Sequence, residues 1–441
     1  MPASPFDSAH LSKLFDTGEA ARLFSDSAEI RAMLLVEGAL AKVQGAAGVI
    51  PELSAAAIHR ATLEIQMDPA GLAEATGQNG VSVPALVTAF RALMQAPEHA
   101  QYLHWGATSQ DILDTALMLR LRQGLALFDA GLDATLKALA TLSAAHADTP
   151  MAARTYGQHA TPTSFGATVA AWGWPLLTLL EELRAIRAAG LPVSLSGAAG
   201  TATELGADAP ALRAALAEAL GLSDPGHSWH SDRTVILRLA AWITRTATAL
   251  GKMGEDLLLL TQSGLAEVRL GGAGGSSTMP QKQNPVAPSV LVALSHHALG
   301  LNTTLQGAGL HRQQRDGAAW FTEWLTLPSL CLSLSAALKH AQNLAETLAP
   351  NTQAMSATLD SAQGLLAAEA LSFALTSRMS RPDAQAEVKM LCKEVIANGT
   401  HLRDAALARW PDLPPALFLP DTQMGQAPHE ARAFAAAVRA L

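Results

Sequence analysis

Apolar side chains recur at intervals of three and four along most of this chain, and that period belongs to helices. After Asp111, Leu121, Leu125, Phe128, Leu132, Leu136 and Leu139 form one stripe, with Asp133 and Lys137 as an i,i+4 pair on another face. A second stripe runs through Phe165, Val169, Trp172, Leu176, Leu180 and Leu183, with Pro175 expected to bend its helix. A third takes in Ile236, Leu239, Ile243, Leu250, Met253, Leu257 and Leu260. Alternating β-type runs are scarce, and no Asn-Gly or Asp-Gly pair sits between apolar alternations. The pattern predicts an all-α protein built on a bundle of long helices. Apolar residues occupy more than one face of these helices, which predicts burial on several sides and hence an oligomer.

Three stretches are expected. Residues 1–110 hold shorter helices interrupted by Pro51, Pro69, Pro84 and Pro97, residues 111–352 the long ones, and residues 353–441 shorter ones again, with a proline-rich run from Trp410 to Pro420. Composition then narrows the picture. Of 441 residues, 49% are hydrophobic and only 15% charged, enough for a large core and few charges for a free surface, so partner subunits are expected to cover part of it. The net charge of −8 excludes nucleic acid as the main partner, because phosphate binding needs a basic face. It leaves room for a small anionic substrate, since a few local Arg and Lys residues outweigh a distant global charge. Two isolated cysteines, Cys331 and Cys392, fit a reducing cytoplasm. The N-terminal MPASPFDSAHLSK lacks the basic and apolar regions of a secretory signal. Charged residues break the apolar runs before the roughly 18 residues of a membrane span, so no membrane partner is expected.

Candidate chemistry concentrates in Gly271 to Pro285, GGAGGSSTMPQKQNP. Four glycines in five positions cannot form a helix interior, where each costs about 1 kcal/mol relative to Ala. The segment separates two helical stretches, so it reads as a long loop of the lid kind. Asn284-Pro285 reads as an N-cap followed by proline at the first helical position. Hydroxyls, one ammonium and the positive end of a helix thus face one neighbourhood. These are tools for holding an anion and stabilising developing negative charge.

That loop resembles the signature of the fumarase/aspartase superfamily, Gly-Ser-Ser-x-Met-Pro-x-Lys-x-Asn-Pro, at every fixed position. Two more regions resemble the superfamily in the right order: His104 to Thr115 (HWGATSQDILDT) and Arg154 to Gly166 (RTYGQHATPTSFG). The resemblance runs from Phe24 to at least Pro328. QHATP, SGAAGT at Ser196 to Thr201, GGSSTMP and the WxxEWxTLP pattern at Trp320 to Pro328 resemble its bacterial cycloisomerase branch. Members of that branch close 3-carboxy-cis,cis-muconate to a lactone in the protocatechuate branch of the β-ketoadipate pathway. Where amine-expelling lyases of the superfamily carry a histidine, taken as the acid that protonates the leaving group, this chain has Tyr156. Lactone closure tolerates the change, because the nucleophilic carboxylate is already ionised at pH 7 and its geometry is intramolecular.

By position in the motifs, the resemblance implies that Ser276 transfers the carbon-bound proton and Lys282 stabilises charge. His159 is the nearest imidazole to the missing acid, with a role in proton transfer or carboxylate binding. Substrate contacts are implied for His104, Thr108, Ser109, Gln158, Ser277, Thr278, Asn284 and Arg315. Thr108 and Ser109 also read as caps of the following helix, Ser/Thr-x-x-Asp being a start signal. Arg315 is suited to pair bidentately with a substrate carboxylate. Gln313 and Gln314 stand where His-Glu is common, and Gln283 where Arg is frequent, which removes charge from the pocket rim. For His230 and Arg233 a structural or solvated role is expected. The superfamily assembles its sites from different subunits, so a homotetramer is implied. His296 and His297 lack metal-ligand spacing, and GGAGG lacks the strand a dinucleotide loop needs, so neither metal nor cofactor is expected. The alternatives are an adenylosuccinate-type lyase, a cycloisomerase for another substituted muconate, and a non-catalytic structural protein on the same scaffold.

Overall fold

The computed structural model describes residues 4–272, 274, 275, 278, 279 and 282–441. Five long helices, Ser109–Ala145, Phe165–Ala189, Thr234–Leu260, Val286–Gln306 and Gly317–Thr347, dominate a mostly helical chain. Every residue of the three stripes is buried, none more than 6% exposed. A fully buried Leu or Phe is worth about 1.5–3 kcal/mol over an exposed one. Packing of the stripes, rather than intrinsic propensity, therefore holds these helices. The Asp133–Lys137 pair forms at 2.6 Å. Gly317–Thr347 is apolar enough to cross a membrane if two charges are tolerated, but 61% of its most apolar window is buried inside the fold, as a core helix would be.

The chain divides into two compact units. The first comprises Met1–Gly131, Leu179–Thr248 and Leu294–Lys339. In it the Asp26–Ala46 helix packs on Glu52–Glu64 and on Ala209–Leu220. Gly38 and Gly45 permit the close approach. A Cβ at Gly38 would lie 2.2 Å from the Thr62 hydroxyl, and one at Gly45 would lie 2.4 Å from the Ala55 methyl. Met33, Leu34, Leu40, Ile58, Leu86, Phe90 and Leu212 fill the core. The prolines expected to interrupt this region instead start its elements. Pro51 is the N-cap of Glu52–Glu64, Pro69 opens a 3-10 turn, and Pro84 and Pro97 sit in first turns, where no amide hydrogen is required.

The second unit comprises Leu132–Thr178, Ala249–Ala293 and His340–Leu441. Its C-terminal helices, among them Arg381–Asn398 and Leu402–Arg409, close over Leu371, Val388, Leu391, Val395 and Leu402. Part of the proline-rich run forms the 3-10 turn Pro415–Phe418. Two small antiparallel sheets depart from the helical pattern. Val268–Arg269 pairs with Ala349–Pro350, and Pro150–Thr155 pairs with Gln158–Ser164. The second of these is a hairpin whose two turn residues, Tyr156 and Gly157, have φ of 53° and 71°. Two successive positive φ values are the turn that matches the twist of a hairpin. Tyr-Gly supplies it here without the Asn-Gly or Asp-Gly pair that would have marked it.

Candidate active site

The Ser109–Ala145 helix begins with one half of a capping box. The Thr108 carbonyl accepts from the Asp111 amide at 3.0 Å, and the Asp111 carboxylate reaches back to the Thr108 amide at 3.1 Å. The side-chain cap is thus made by Asp111, while the Thr108 hydroxyl, expected to cap the helix, accepts from Arg315 instead, and Ser109 is the first residue of the helix. Asp111 is fully buried and does much more. Its Oδ1 accepts from the Ser194 hydroxyl, the Ser196 amide and His230 Nε2, at 2.8–2.9 Å, and its Oδ2 also accepts from the Gly197 amide at 2.9 Å. One carboxylate thus fixes the start of a long helix to the loop that opens SGAAGT.

Arg315 lies on the exposed side of this assembly. Its Nε donates to Gln110 Oε1 at 2.7 Å, and its Nη2 donates to Thr108 Oγ1 at 3.2 Å and to the Ala198 carbonyl at 3.3 Å. All three acceptors are neutral, and among the described residues no carboxylate pairs with it. The guanidinium is oriented while its charge stays uncompensated, beside a helix N-terminus. This arrangement suits a bound carboxylate. Gln110 is locked in turn by donating to Asp114 Oδ2 and to the His230 carbonyl. His104 precedes the same helix, with its Nδ1 2.6 Å from Glu37 Oε1.

His230 and Arg233 are both buried, so the structural reading holds for them and the solvated one does not. Arg233 makes paired hydrogen bonds to Asp114 and to Glu323 at 2.7–3.0 Å. Burial pushes the Glu323 carboxyl above its usual range even beside this arginine. His297 Nδ1 meets Ser333 Oγ at 2.9 Å. Among the described residues no three His, Cys, Asp or Glu side chains gather as a metal ion would require.

The second unit carries the other candidates. Gln158 and His159 open the return strand of the hairpin, paired in register with Thr155 and Arg154, and both are exposed. Arg154 is turned to the buried Glu267, with two hydrogen bonds of 2.8 and 3.0 Å, which anchors the first strand close to the turn, directly opposite His159. Tyr156 at the tip is fully exposed. In the signature loop, Gly274 and Asn284 exchange backbone hydrogen bonds of 2.9 and 2.8 Å, closing the segment on itself. Thr278 and Lys282 are exposed between those two ends, whereas Ser276 and Ser277 lie outside the described residues. The cap expectation is corrected by one residue. The helix starts at Val286, and its first carbonyl acceptor is that of Pro285, bonded by the Ser289 amide at 3.2 Å. Asn284 stands one position outside, its backbone already used by Gly274.

The structure therefore groups Thr108 and Arg315 by direct contact, with Ser109 next in the chain and His104 on the same loop. Gln158, His159, Thr278, Lys282 and Asn284 belong to the other unit. Sequence reasoning had Gln110, Asp111 and Glu323 only as members of its motifs, with Asp111 closing the helix start signal, and did not single out Glu37. For Glu37 the available signal was a lone carboxylate in the apolar run AMLLVEGALAKV.

A family profile of lyases matches residues 16–300. The chain is 39% identical over 386 residues to a 3-carboxy-cis,cis-muconate cycloisomerase from Pseudomonas aeruginosa, covering 86% of this chain and 84% of that one. It is 38% identical over 400 residues to a 3-carboxy-cis,cis-muconate cycloisomerase from Pseudomonas putida, covering 89% and 95%. The crystal structure of 3-carboxy-cis,cis-muconate lactonizing enzyme from Pseudomonas putida superposes with a TM-score of 0.90 at 34% identity, over 96% of this chain and 97% of that one. With the three superfamily regions in order and these relatives spanning most of its length, the chain belongs to the lyase family of the fumarase/aspartase superfamily.

Proposed function

We propose that this protein is a cycloisomerase that converts 3-carboxy-cis,cis-muconate to its carboxymuconolactone, by adding one substrate carboxylate across its own double bond. The carrying observation is the hairpin tip. Tyr156, fully exposed, stands where amine-expelling members of the superfamily place their histidine acid. A carboxylate arrives and departs without needing a proton, so this site suits lactone chemistry. The uncompensated Arg315, beside Thr108 and Ser109 at a helix N-terminus, supplies a dock for one substrate carboxylate.

In this reading the substrate is held curled, so that proximity replaces activation of the nucleophile. Addition leaves an enolate-like carbanion next to a carboxylate. Lys282 stabilises that charge, and Ser276 delivers the proton to carbon, with His159 as the second candidate donor. Gln158, Ser277, Thr278, Asn284 and His104 complete the substrate contacts. The division of the chain at residues 110 and 352 into three domains belongs to the same proposal.

The working assembly is a homotetramer in which the Thr108, His159 and Ser276 regions come from different subunits. Large apolar residues left exposed on the long helices support it, among them Leu127, Trp174, Leu259, Leu299 and Leu325. Purified protein supplied with 3-carboxy-cis,cis-muconate should yield the lactone, identified by NMR. A panel of substituted muconates gives the substituent preference, and failure to cyclise any of them overturns the proposal. Light scattering that finds an active monomer would contradict the shared-site assembly.

A further inference from the structure

The Asp26–Ala46 helix reads AMLLVEGALAKV through its middle, yet its Glu37 is buried with its side chain fully enclosed. An ionised carboxylate is rarely enclosed without a partner, because desolvation is costly. Its Oε1 meets His104 Nδ1 at 2.6 Å, and its Oε2 has no partner. Two turns further on, the buried Gln44 donates its Nε2 to the Trp105 carbonyl at 2.7 Å. Arg91, on the Val83–Met94 helix, donates to the Leu103 carbonyl at 2.8 Å. Residues 103, 104 and 105 are thus each held by a polar side chain from a neighbouring helix.

His104 itself has a φ of 62°, a left-handed conformation that a side chain with a Cβ adopts only when its surroundings enforce it. Its Nε2 makes no hydrogen bond among the described residues and is not sealed from solvent. The strained backbone and the buried carboxylate together serve the orientation of one ring.

We infer that Glu37 is a positioning residue of the substrate site, holding His104 as an imidazolium whose Nε2–H donates to a carboxylate of the substrate. This rests on the polycarboxylate reading above and adds a residue that does not itself touch substrate. Burial alone pushes His104 down, but the charge and hydrogen bond of Glu37, helped by Asp111 and opposed by Arg91, outweigh it and leave His104 raised. The donor form is therefore complete at low pH and is lost as pH rises through the raised value. Substrate affinity should fall in the same window.

The first test needs no substrate and no variant of Glu37. Histidine-selective NMR of the intact protein, with His104 assigned from its absence in His104→Gln, should show it titrating above 6.5. In the neutral form the proton should remain on Nδ1. Titration at or below that value, or a proton on Nε2 instead, overturns the inference. In kinetics, Glu37→Gln should raise KM about tenfold at pH 7.5 while kcat changes by less than about threefold, the loss of one charge-assisted hydrogen bond. The alkaline rise in KM should move to lower pH. The double variant Glu37→Gln/His104→Gln should be no worse than His104→Gln alone. Additive losses would mean that Glu37 only supports the fold, and would also overturn the inference. If the unmodified enzyme turns over no muconate, the proposed function fails and the NMR titration still decides the role of Glu37. It likewise decides if Glu37→Gln does not fold.

Discussion

The start of the Ser109–Ala145 helix and the Pro150–Ser164 hairpin both carry candidate site residues, but they are built in opposite ways. At the helix start, the buried Asp111 gathers donors from five other residues, Thr108, Ser194, Ser196, Gly197 and His230. Arg315 is exposed beside it, and Thr108 and Ser109 are half-buried. In the hairpin the anchor is a single ion pair near the turn, where Arg154 meets Glu267, and its register partner His159, with Gln158 and the Tyr156 tip, is exposed. A dock for a carboxylate gains from being rigid before substrate arrives, since no orientation then remains to be paid at binding. The hairpin presents its tools outward, as expected of a part that completes a site against another surface.

Variants should separate the two regions and the signature loop that shares a unit with the hairpin. The largest loss is expected at Ser276. Removing a positioned proton donor costs about 100- to 10,000-fold in rate, so Ser276→Ala should lose turnover on that scale with KM nearly unchanged. Turnover within tenfold of the parent would shift the proton to His159. Next comes Asp111→Asn, which turns an acceptor oxygen into a donor facing buried donors. It should destabilise the protein by about 3–5 kcal/mol, read as a lowered denaturation midpoint. A midpoint close to the parent's would mean that the capped helix start is not the rigid half of the comparison.

Arg315→Ala should raise KM about 10- to 100-fold, and Arg315→Lys should recover only part of that, because an ammonium lacks the fork. An unchanged KM would remove Arg315 from the dock. Ser277→Ala should cost about fivefold, one neutral hydrogen bond. The smallest effect is expected at the hairpin tip. Asn tolerates a positive φ better than Tyr, so Tyr156→Asn should stabilise the protein by about 0.5–1 kcal/mol and leave turnover within about threefold. A hundredfold loss there would make Tyr156 itself part of the chemistry.

What the sequence disclosed follows the range of the interactions. The long helices were legible because the period of three and four is local, and each stripe residue is buried in the fold. The signature loop and the start signal that ends in Asp111 were legible for the same reason. The hairpin was not, because its turn depends on a tyrosine accepting a positive φ, which no local rule favours. The shift of the cap from Asn284 to Pro285 comes from the bonds Asn284 makes to Gly274, ten positions back. Glu37 with His104, and Asp111 with His230, join residues 67 and 119 positions apart, beyond the reach of any helical period. The visible trace was a lone charge in an apolar run for Glu37, and for Asp111 only its place in the helix start signal.

The central claim is that this site moves a carboxylate without an acid to assist it. Purified protein should be supplied separately with 3-carboxy-cis,cis-muconate and with adenylosuccinate, and initial rates compared at equal concentrations. The account predicts lactone formation from the muconate and much slower release of an amine from adenylosuccinate. Faster turnover of adenylosuccinate would contradict it.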